Sequence, residues 1–314
     1  MKKKLIIGSR SSDLALWQTN FVKREIEKYN PNVEVVTKLV STKGDKILDV
    51  ALSKIGDKGL FTKELEIELI HGSIDIAVHS LKDLQTAIPE GLKLAAVTKR
   101  HDVEDVLIAR TQGATIKTLR NGAVVATGSL RRRSQLKYIR PDITVVDLRG
   151  NVPTRVQKFI DSDWDAIILA RAGIERLKMS KHISSYIDTD EMIPAVGQGA
   201  LGIEIKEDNR FADETVQSIH DEKTFLAVSA ERSFLRTLEG GCQVPIGAHA
   251  EIKSNGLYLS GMVGSVDGKI QLKRKIRGSK NEPEETGRVL ANILLNAGAK
   301  EILDEIYGTP HSVL

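Results

Sequence analysis

Cysteine is nearly absent: Cys242 is the one thiol in 314 residues. A lone cysteine excludes an internal disulfide framework and a zinc cluster built on thiolates. Aromatic side chains make up only 4%, so aliphatic residues must fill the core. No apolar run approaches the length of a membrane span. The start, Met1-Lys2-Lys3-Lys4-Leu5-Ile6-Ile7-Gly8-Ser9-Arg10, has a basic head but an apolar run too short for a signal h-region. A cytoplasmic protein with no membrane role is expected. The Gly-x-x-x-x-Gly-Lys-Ser/Thr phosphate loop and the Gly-x-Ser-x-Gly elbow are both missing. Gly197-Gln198-Gly199 lacks the third glycine of a dinucleotide fingerprint. No His/Asp/Glu cluster has metal-ligand spacing, so no metal is expected.

What is present reads as a globular chain. Hydrophobic residues make up 41% and charged residues 28%, and the length predicts two or three domains. The net charge of +4 is mild and requires no nucleic-acid partner.

The pattern predicts an α/β protein. Leu5 to Ile7 reads as a strand ended by Gly8-Ser9-Arg10. Asp13 is placed to cap a helix whose Leu14, Trp17 and Phe21 share a face, with Asn30-Pro31 as the stop. Val33 to Val40 reads as a strand. A helix with Phe61, Leu65 and Leu69 follows Gly59, and Asp75 to Val78 is a short strand leading into His79-Ser80-Leu81-Lys82-Asp83. The plan then recurs. Ala123 to Ala126, Ile143 to Val146 and Asp165 to Leu169 are strands, with helices between them that end near Pro141 and Ile160. Two similar lobes with a cleft between them are expected. Ile193 to Ala200 is Gly-rich and suits a crossing. Lys223 to Leu238 reads as a helix closed by Gly240-Gly241. Three strands follow, near Ile246 to Lys253, Leu257 to Val263 and Ile270 to Arg277, split by Asn255-Gly256 and Asp267-Gly268, with helices at the end. This last part is expected to be a small α+β domain with a three-stranded antiparallel sheet.

Three groups of residues could carry chemistry. Between Ser129 and Arg155 stand Arg131, Arg132, Arg133, Lys137, Arg140, Arg149 and Arg155, against Asp142 and Asp147. Several fall just after strands, where helix N-termini favour anions and the arginine fork matches a carboxylate. An anion site therefore competes with a solvated basic face. Ser9-Arg10-Ser11-Ser12 holds the equivalent place earlier in the chain. Asp83 lies just past a buried strand: it either stabilises a positive intermediate or moves a proton, or it is a cap or a partner of Lys82. His79 reads as a structural donor. Cys242 sits in Leu238-Glu239-Gly240-Gly241-Cys242-Gln243-Val244-Pro245. The glycines permit close approach and suit a thiol held toward a cleft, the alternative being an incidental loop cysteine.

Together these segments resemble the hydroxymethylbilane synthases, or porphobilinogen deaminases. The blocks that carry the resemblance are Gly240 to Gly247, His79 to Asp83, Ser129-Leu130-Arg131-Arg132, Leu148-Arg149-Gly150-Asn151-Val152, Pro194 to Ala200, Leu14 to Gln18 and Lys58 to Leu65. The resemblance implies a transferase of porphyrin and haem biosynthesis. It would join four porphobilinogens head to tail into the linear tetrapyrrole hydroxymethylbilane with loss of ammonia. Growth would be primed on one dipyrromethane cofactor held by a thioether to Cys242. It implies two periplasmic-binding-protein-like lobes, 1–100 with 197–218 and 101–196, and a cofactor-anchoring domain 219–314. Asp83 matches the catalytic aspartate. Ser80, Lys82, Asp83, Thr127, Ser129, Arg131, Arg132, Arg149, Gly150 and Arg155 match cofactor contacts. Arg10, Ser12, Phe61, Arg149, Arg155, Arg176 and Gln198 match substrate contacts. Porphobilinogen is then the partner, for a monomer without nucleic acid.

Two positions depart from the family's pattern. Leu84-Gln85 replaces the expected Val-Pro, which would loosen the turn behind Asp83. Arg171 stands where a small or neutral residue is commoner, either adding a carboxylate contact or pointing to solvent. The polar segment Ser41 to Gly59 reads as a mobile flap. The competing classes are a two-lobe anion-binding protein, against which the Cys242 domain counts, and a nucleic-acid binder, against which the placement of the arginines at turns counts.

Overall fold

The computed structural model describes residues 2–46, 59–239 and 244–308. They form two compact units. The first takes in residues up to His101 and then Gln198–Phe225; the second takes in Asp102–Gly197 and Leu226 onward.

The first unit is built on a five-stranded sheet. Strand β1 (Lys3–Ser9) runs parallel to β2 (Val33–Leu39) on one side and β3 (Ile76–Ser80) on the other. The late strand β10 (Leu201–Lys206) inserts antiparallel between β3 and β4 (Leu92–Val97), giving the order β2-β1-β3-β10-β4. Both faces are covered. Leu5, Ile7, Ile76, Val78, Ile203 and Ile205 pack with Val22 and Ile26 of the helix Asp13–Tyr29 and with Val216 of the helix Arg210–Gln217. On the other face, Ala77 and Leu92 pack with Leu65 and Leu69 of the helix Lys63–Ile70. Burial on two faces explains why these strands read as apolar runs rather than as alternations.

The helix Asp13–Tyr29 differs from expectation in two details. Ser12, not Asp13, is its N-cap, with its hydroxyl accepting from the Ala15 N–H. Its buried face is Ala15, Gln18, Thr19, Val22 and Ile26, which displaces Leu14, Trp17 and Phe21 to half-buried flanks where Trp17 and Phe21 stack at 5.5 Å. The two polar members of that face are tolerated because both are bonded: Thr19 Oγ1 donates to Ser9 Oγ and Gln18 Nε2 donates to Ser80 Oγ.

The second unit holds two sheets. In the first, β6 (Val124–Ala126) is parallel to β7 (Thr144–Val146) and β8 (Ala166–Ala170). Strand β5 (Asp105–Ala109) is antiparallel to β8 and to β9 (Ser185–Ile187), giving the order β7-β6-β8-β5-β9. This repeats the layout of the first unit: three parallel strands, an antiparallel strand, then an edge. The other sheet is the antiparallel set β11 (Ile246–Lys253), β12 (Gly256–Gly264) and β13 (Gln271–Gly278), covered by the helices Glu222–Thr237, Pro283–Leu294 and Lys300–Tyr307. The α/β class, the repeated lobe and the three-stranded sheet are thus as expected. Strands β4, β5, β9 and β10 were not anticipated.

Glycine seats this small sheet on the helix Leu130–Ile139. A Cβ on Gly264 would stand 2.3 Å from Ser134 Oγ, and one on Gly268, whose φ is +74°, would stand 2.8 Å from the Ser134 carbonyl oxygen. The Asp267-Gly268 turn therefore does more than reverse the chain: it lets two layers approach at backbone distance. Glu231, fully buried, accepts from the N–H groups of Gly197 and Ala250 and so fixes one end of the Gly-rich crossing.

Candidate functional site

In the first unit, the candidate residues cluster around the end of β3. Ser80 closes that strand and accepts from Gln18 at 2.7 Å. A single 3-10 turn, Leu81–Asp83, follows. The Leu81 N–H donates to Ala200, so the turn is tied to the crossing segment. Leu84 is buried and its N–H closes the turn on the Leu81 carbonyl. Lys82 and Asp83 are half-buried, and Lys82 Nζ donates to Oε1 of the buried Gln198 at 3.4 Å. Arg10, just past β1, lays its guanidinium over the Phe61 ring at 4.2 Å. Ser12 spends its hydroxyl as a helix cap.

The second unit brings together most of the arginines. Ser129 N-caps the helix Leu130–Ile139, its hydroxyl accepting from the Arg132 N–H. Thr127 is buried at the end of β6 and supports this turn by accepting from the Ser129 N–H. Arg131 and Arg132 lie in the first helical turn, at 4% and 5% exposure. Neither belongs to a solvated face. Both converge on Asp105, which is fully buried: Arg131 Nη2 donates to one oxygen at 2.8 Å and Arg132 Nη2 to the other at 2.7 Å. Their Nη1 groups donate to the carbonyls of Ile193 and Ile168. Burial pulls Arg131 below the usual arginine range, Asp105 opposes that, and Arg132 adds to it.

Two buried donors remain. Nε of Arg131 and Nε of Arg132 meet no acceptor among the described residues. A buried N–H without a partner is costly, and a ligand carboxylate would relieve it. These two positions therefore fit an anionic group.

Arg149 and Arg155 flank Gly150, whose φ of +112° is reserved for glycine. Asn151 caps the helix Val152–Asp161, and Arg155 Nε donates to the Gly150 carbonyl at 2.7 Å. Burial lowers Arg149 and the nearby Asp147 raises it. Gly128 makes this meeting possible, since a Cβ there would fall 2.6 Å from the Leu148 carbonyl oxygen. Arg176 ends the helix Arg171–Arg176, and burial alone brings its pKa down to about 10. The other basic residues of the run serve the scaffold: Arg133 pairs with Asp147, Arg140 with Asp142, and Lys137 donates to the carbonyls of Pro141 and Ile143.

Arg171 takes neither of the expected roles. Its guanidinium pairs with Asp102 at 2.7 Å, Glu175 at 2.9 Å and Glu104 at 3.4 Å, and it stacks on Tyr186. Asp105 is the main residue that the sequence reading missed. Its only signal was a carboxylate opening an apolar run, Asp105 to Ala109. Cys242 lies outside the described residues, as does 47–58, most of the segment read as a flap.

Residues 5–214 match the family model described as "Porphobilinogen deaminase, dipyromethane cofactor binding domain", and residues 225–296 match the family's C-terminal domain. The chain belongs to the porphobilinogen deaminase family. It is 50% identical to the porphobilinogen deaminase of Chloroherpeton thalassium over 310 residues, covering 98% of each chain. It is 51% identical to that of Chlorobium luteolum over 310 residues, 98% of this chain and 99% of the other. Identity to that of Carboxydothermus hydrogenoformans is 50% over 306 residues, 98% of both. Among solved structures, the periplasmic aliphatic sulphonate binding protein of Escherichia coli overlaps with a TM-score of 0.40 at 16% identity, over 76% of this chain and 71% of that one. Among the described residues, no helix of this deaminase-family chain is long and apolar enough to cross a membrane.

Proposed function

We propose that this enzyme is a hydroxymethylbilane synthase: it joins four porphobilinogen molecules head to tail and releases ammonia at each condensation. The observation that carries this reading is the near-full-length match to porphobilinogen deaminases at half identity. The reaction is a group transfer of tetrapyrrole biosynthesis. A dipyrromethane, bound as a thioether to Cys242, supplies the terminal pyrrole on which growth begins.

The chain's own residues divide the work by charge. Each porphobilinogen brings an acetate and a propionate, so anionic charge accumulates with every addition. Arg131 and Arg132 each offer an unused buried Nε–H to a carboxylate of the cofactor, held rigid by Asp105. Arg149, Gly150, Arg155, Thr127 and Ser129 complete the cofactor contacts in the second unit. Arg10, Ser12, Phe61, Arg176 and Gln198 meet the substrate, and Arg149 and Arg155 serve both. Ser80 and Lys82 precede Asp83 and hold the pyrrole groups for it.

Asp83 acts on the positive charge. Loss of ammonia from the aminomethyl group leaves an electrophilic methylene on the substrate pyrrole. Attack on it by a pyrrole carbon generates a second cation, which then loses a proton. A carboxylate fixed beside pyrrole N–H groups stabilises both cations. Its place on a one-turn 3-10 segment, anchored at Leu81 and Leu84, supports such positioning.

The chain reads as three domains: 1–100 with 197–218, 101–196 and 219–314. The enzyme works as a cytoplasmic monomer, without metal or nucleic acid. Its test is direct: supply porphobilinogen and measure ammonia and the linear tetrapyrrole. Four ammonia per tetrapyrrole are expected, and a failure to consume porphobilinogen by protein that carries the cofactor would refute the activity.

A further inference from the structure

The strand that delivers Ser80, Lys82 and Asp83 also carries a buried charge cluster that the reaction leaves unused. His79 is 5% exposed, and its Nε2 lies 2.9 Å from Oε2 of Glu204, which is fully buried. The antiparallel register sets His79 opposite Gly202 and Ala77 opposite Glu204, so the two side chains are diagonal neighbours on one face of the sheet. Gly202 keeps that face narrow, since a Cβ there would stand 2.9 Å from Leu81 Cδ1. The helix Lys63–Ile70 covers the same face and contributes a third titratable group, Glu66, also at 5% exposure. Oε1 of Glu204 and Oε1 of Glu66 are both buried with no hydrogen-bond partner among the described residues.

The charges on these groups are not independent. The charges of Glu204 on β10, His79 on β3 and Lys63 on its own helix act on Glu66. Strand β4 sets Leu94 opposite Glu204, and its Lys93 pairs with Asp213. Two carboxylates and an imidazole thus share one dry compartment, where a second carboxylate charge is costly and a proton on Glu66 relieves it. Burial raises the Glu66 carboxyl above its ordinary value; the Thr62 hydroxyl lowers it, and the Glu204 charge raises it again.

We propose that Glu66 is held protonated against the buried His79–Glu204 pair in the working enzyme, and that the three together fix the end of β3 and so position Asp83. The His79–Glu204 pair clamps β3 to β10 one residue before Ser80, and the Leu81 N–H bond to Ala200 extends the clamp to the turn that bears Asp83. Removing the proton from Glu66 sets a second buried negative charge beside Glu204. Relief requires the helix to part from the sheet or water to enter, and either movement disturbs the end of β3. These three are positioning residues, and their effect on turnover rests on the assignment of Asp83.

The experiment uses the holoenzyme. Infrared difference spectra of wild type against Glu66→Gln at neutral pH are expected to show the C=O stretch of one protonated carboxylic acid, lost in the variant. Absence of that band overturns the protonation of Glu66. In parallel, kcat and KM are measured across pH for wild type, Glu66→Gln and Glu66→Ala. The alanine variant is expected to lose about tenfold or more in kcat with little change in KM. Glutamine, which imitates the protonated acid, is expected to rescue kcat and to move the alkaline limb upward. A glutamine variant as impaired as alanine, or one with an unmoved alkaline limb, overturns the positioning role. Should Glu66→Ala fail to fold, glutamine against wild type carries the test. If Asp83→Asn instead proves harmless, the Asp83 assignment fails while the infrared band still reports on Glu66, so the two failures are distinguishable.

Discussion

Arg131 Nη2 donates to Asp105 Oδ2 at 2.8 Å, and the other oxygen of that carboxylate, 2.7 Å from Arg132, makes Asp105 the shared counter-ion of two buried arginines. Removing one partner of a buried ion pair leaves the rest uncompensated, at a cost of about 3–5 kcal/mol. Asp105→Asn is therefore expected to lower the thermal midpoint and to abolish the covalent pyrrole adduct. Intact mass and thermal unfolding check both. An Asp105→Asn protein that melts like wild type and keeps its adduct would remove Asp105 from the site.

Cys242 anchors the primer in the proposed mechanism. Wild-type protein is expected to carry the added mass of two pyrrole units, and Cys242→Ser none. Mass spectrometry of the intact chain decides it, since an unmodified yet active wild type contradicts the tether.

Asp83→Asn keeps the shape of the side chain and removes its charge. Cofactor assembly should survive, while turnover should fall by about 10²-fold or more, because the cations lose their stabilising carboxylate. Adduct mass and steady-state rates separate the two steps. Wild-type turnover would exclude Asp83 from the chemistry.

Arg171 gives a contrasting case. Its three carboxylate partners and Tyr186 make it part of the scaffold. Arg171→Ala is expected to cost about 1 kcal/mol of stability, more at low salt than at high, with KM for porphobilinogen little changed. A large rise in KM with an unaltered melting temperature would instead make it a substrate contact.

Acid stability offers a check on the hairpin that seats the small sheet. The Ser265 hydroxyl and the Lys269 N–H bring Asp267 down to about 2 from an ordinary 3.8. The folded state thus binds this proton less readily than the unfolded chain. Its contribution is present above about pH 4 and lost as pH falls through about 2. Asp267→Asn should flatten the pH dependence of unfolding in that window, and an unchanged slope would show that the turn does not hold the charge.

Legibility in the sequence followed burial. Strands β1, β3, β6 and β8 are apolar runs and could be read directly. Strand β10 was hidden because Glu204 stands in its middle, and a charged residue argues against a central strand until His79, 125 positions away in sequence, is seen to meet it. Ser12 and Asp13 could not be told apart as caps, because both residue types serve and only the backbone geometry at Ser12 selects one.

The sequence by itself determined the α/β class, the recurring lobe, the small antiparallel sheet and the family, and it nominated Asp83, Cys242 and the arginines. Those follow from local periodicity and short motifs, which are properties of neighbouring residues. Only the tertiary structure decided which arginine is paired and with what. Arg131, Arg132 and Arg171 look alike in the sequence. Asp105 draws the first two into the interior with the Nε–H of each unpartnered among the described residues, while Asp102, Glu104 and Glu175 commit the third to the scaffold. Ion pairing depends on distance in space, and partners separated by 26 or 69 positions become neighbours only once the sheets form.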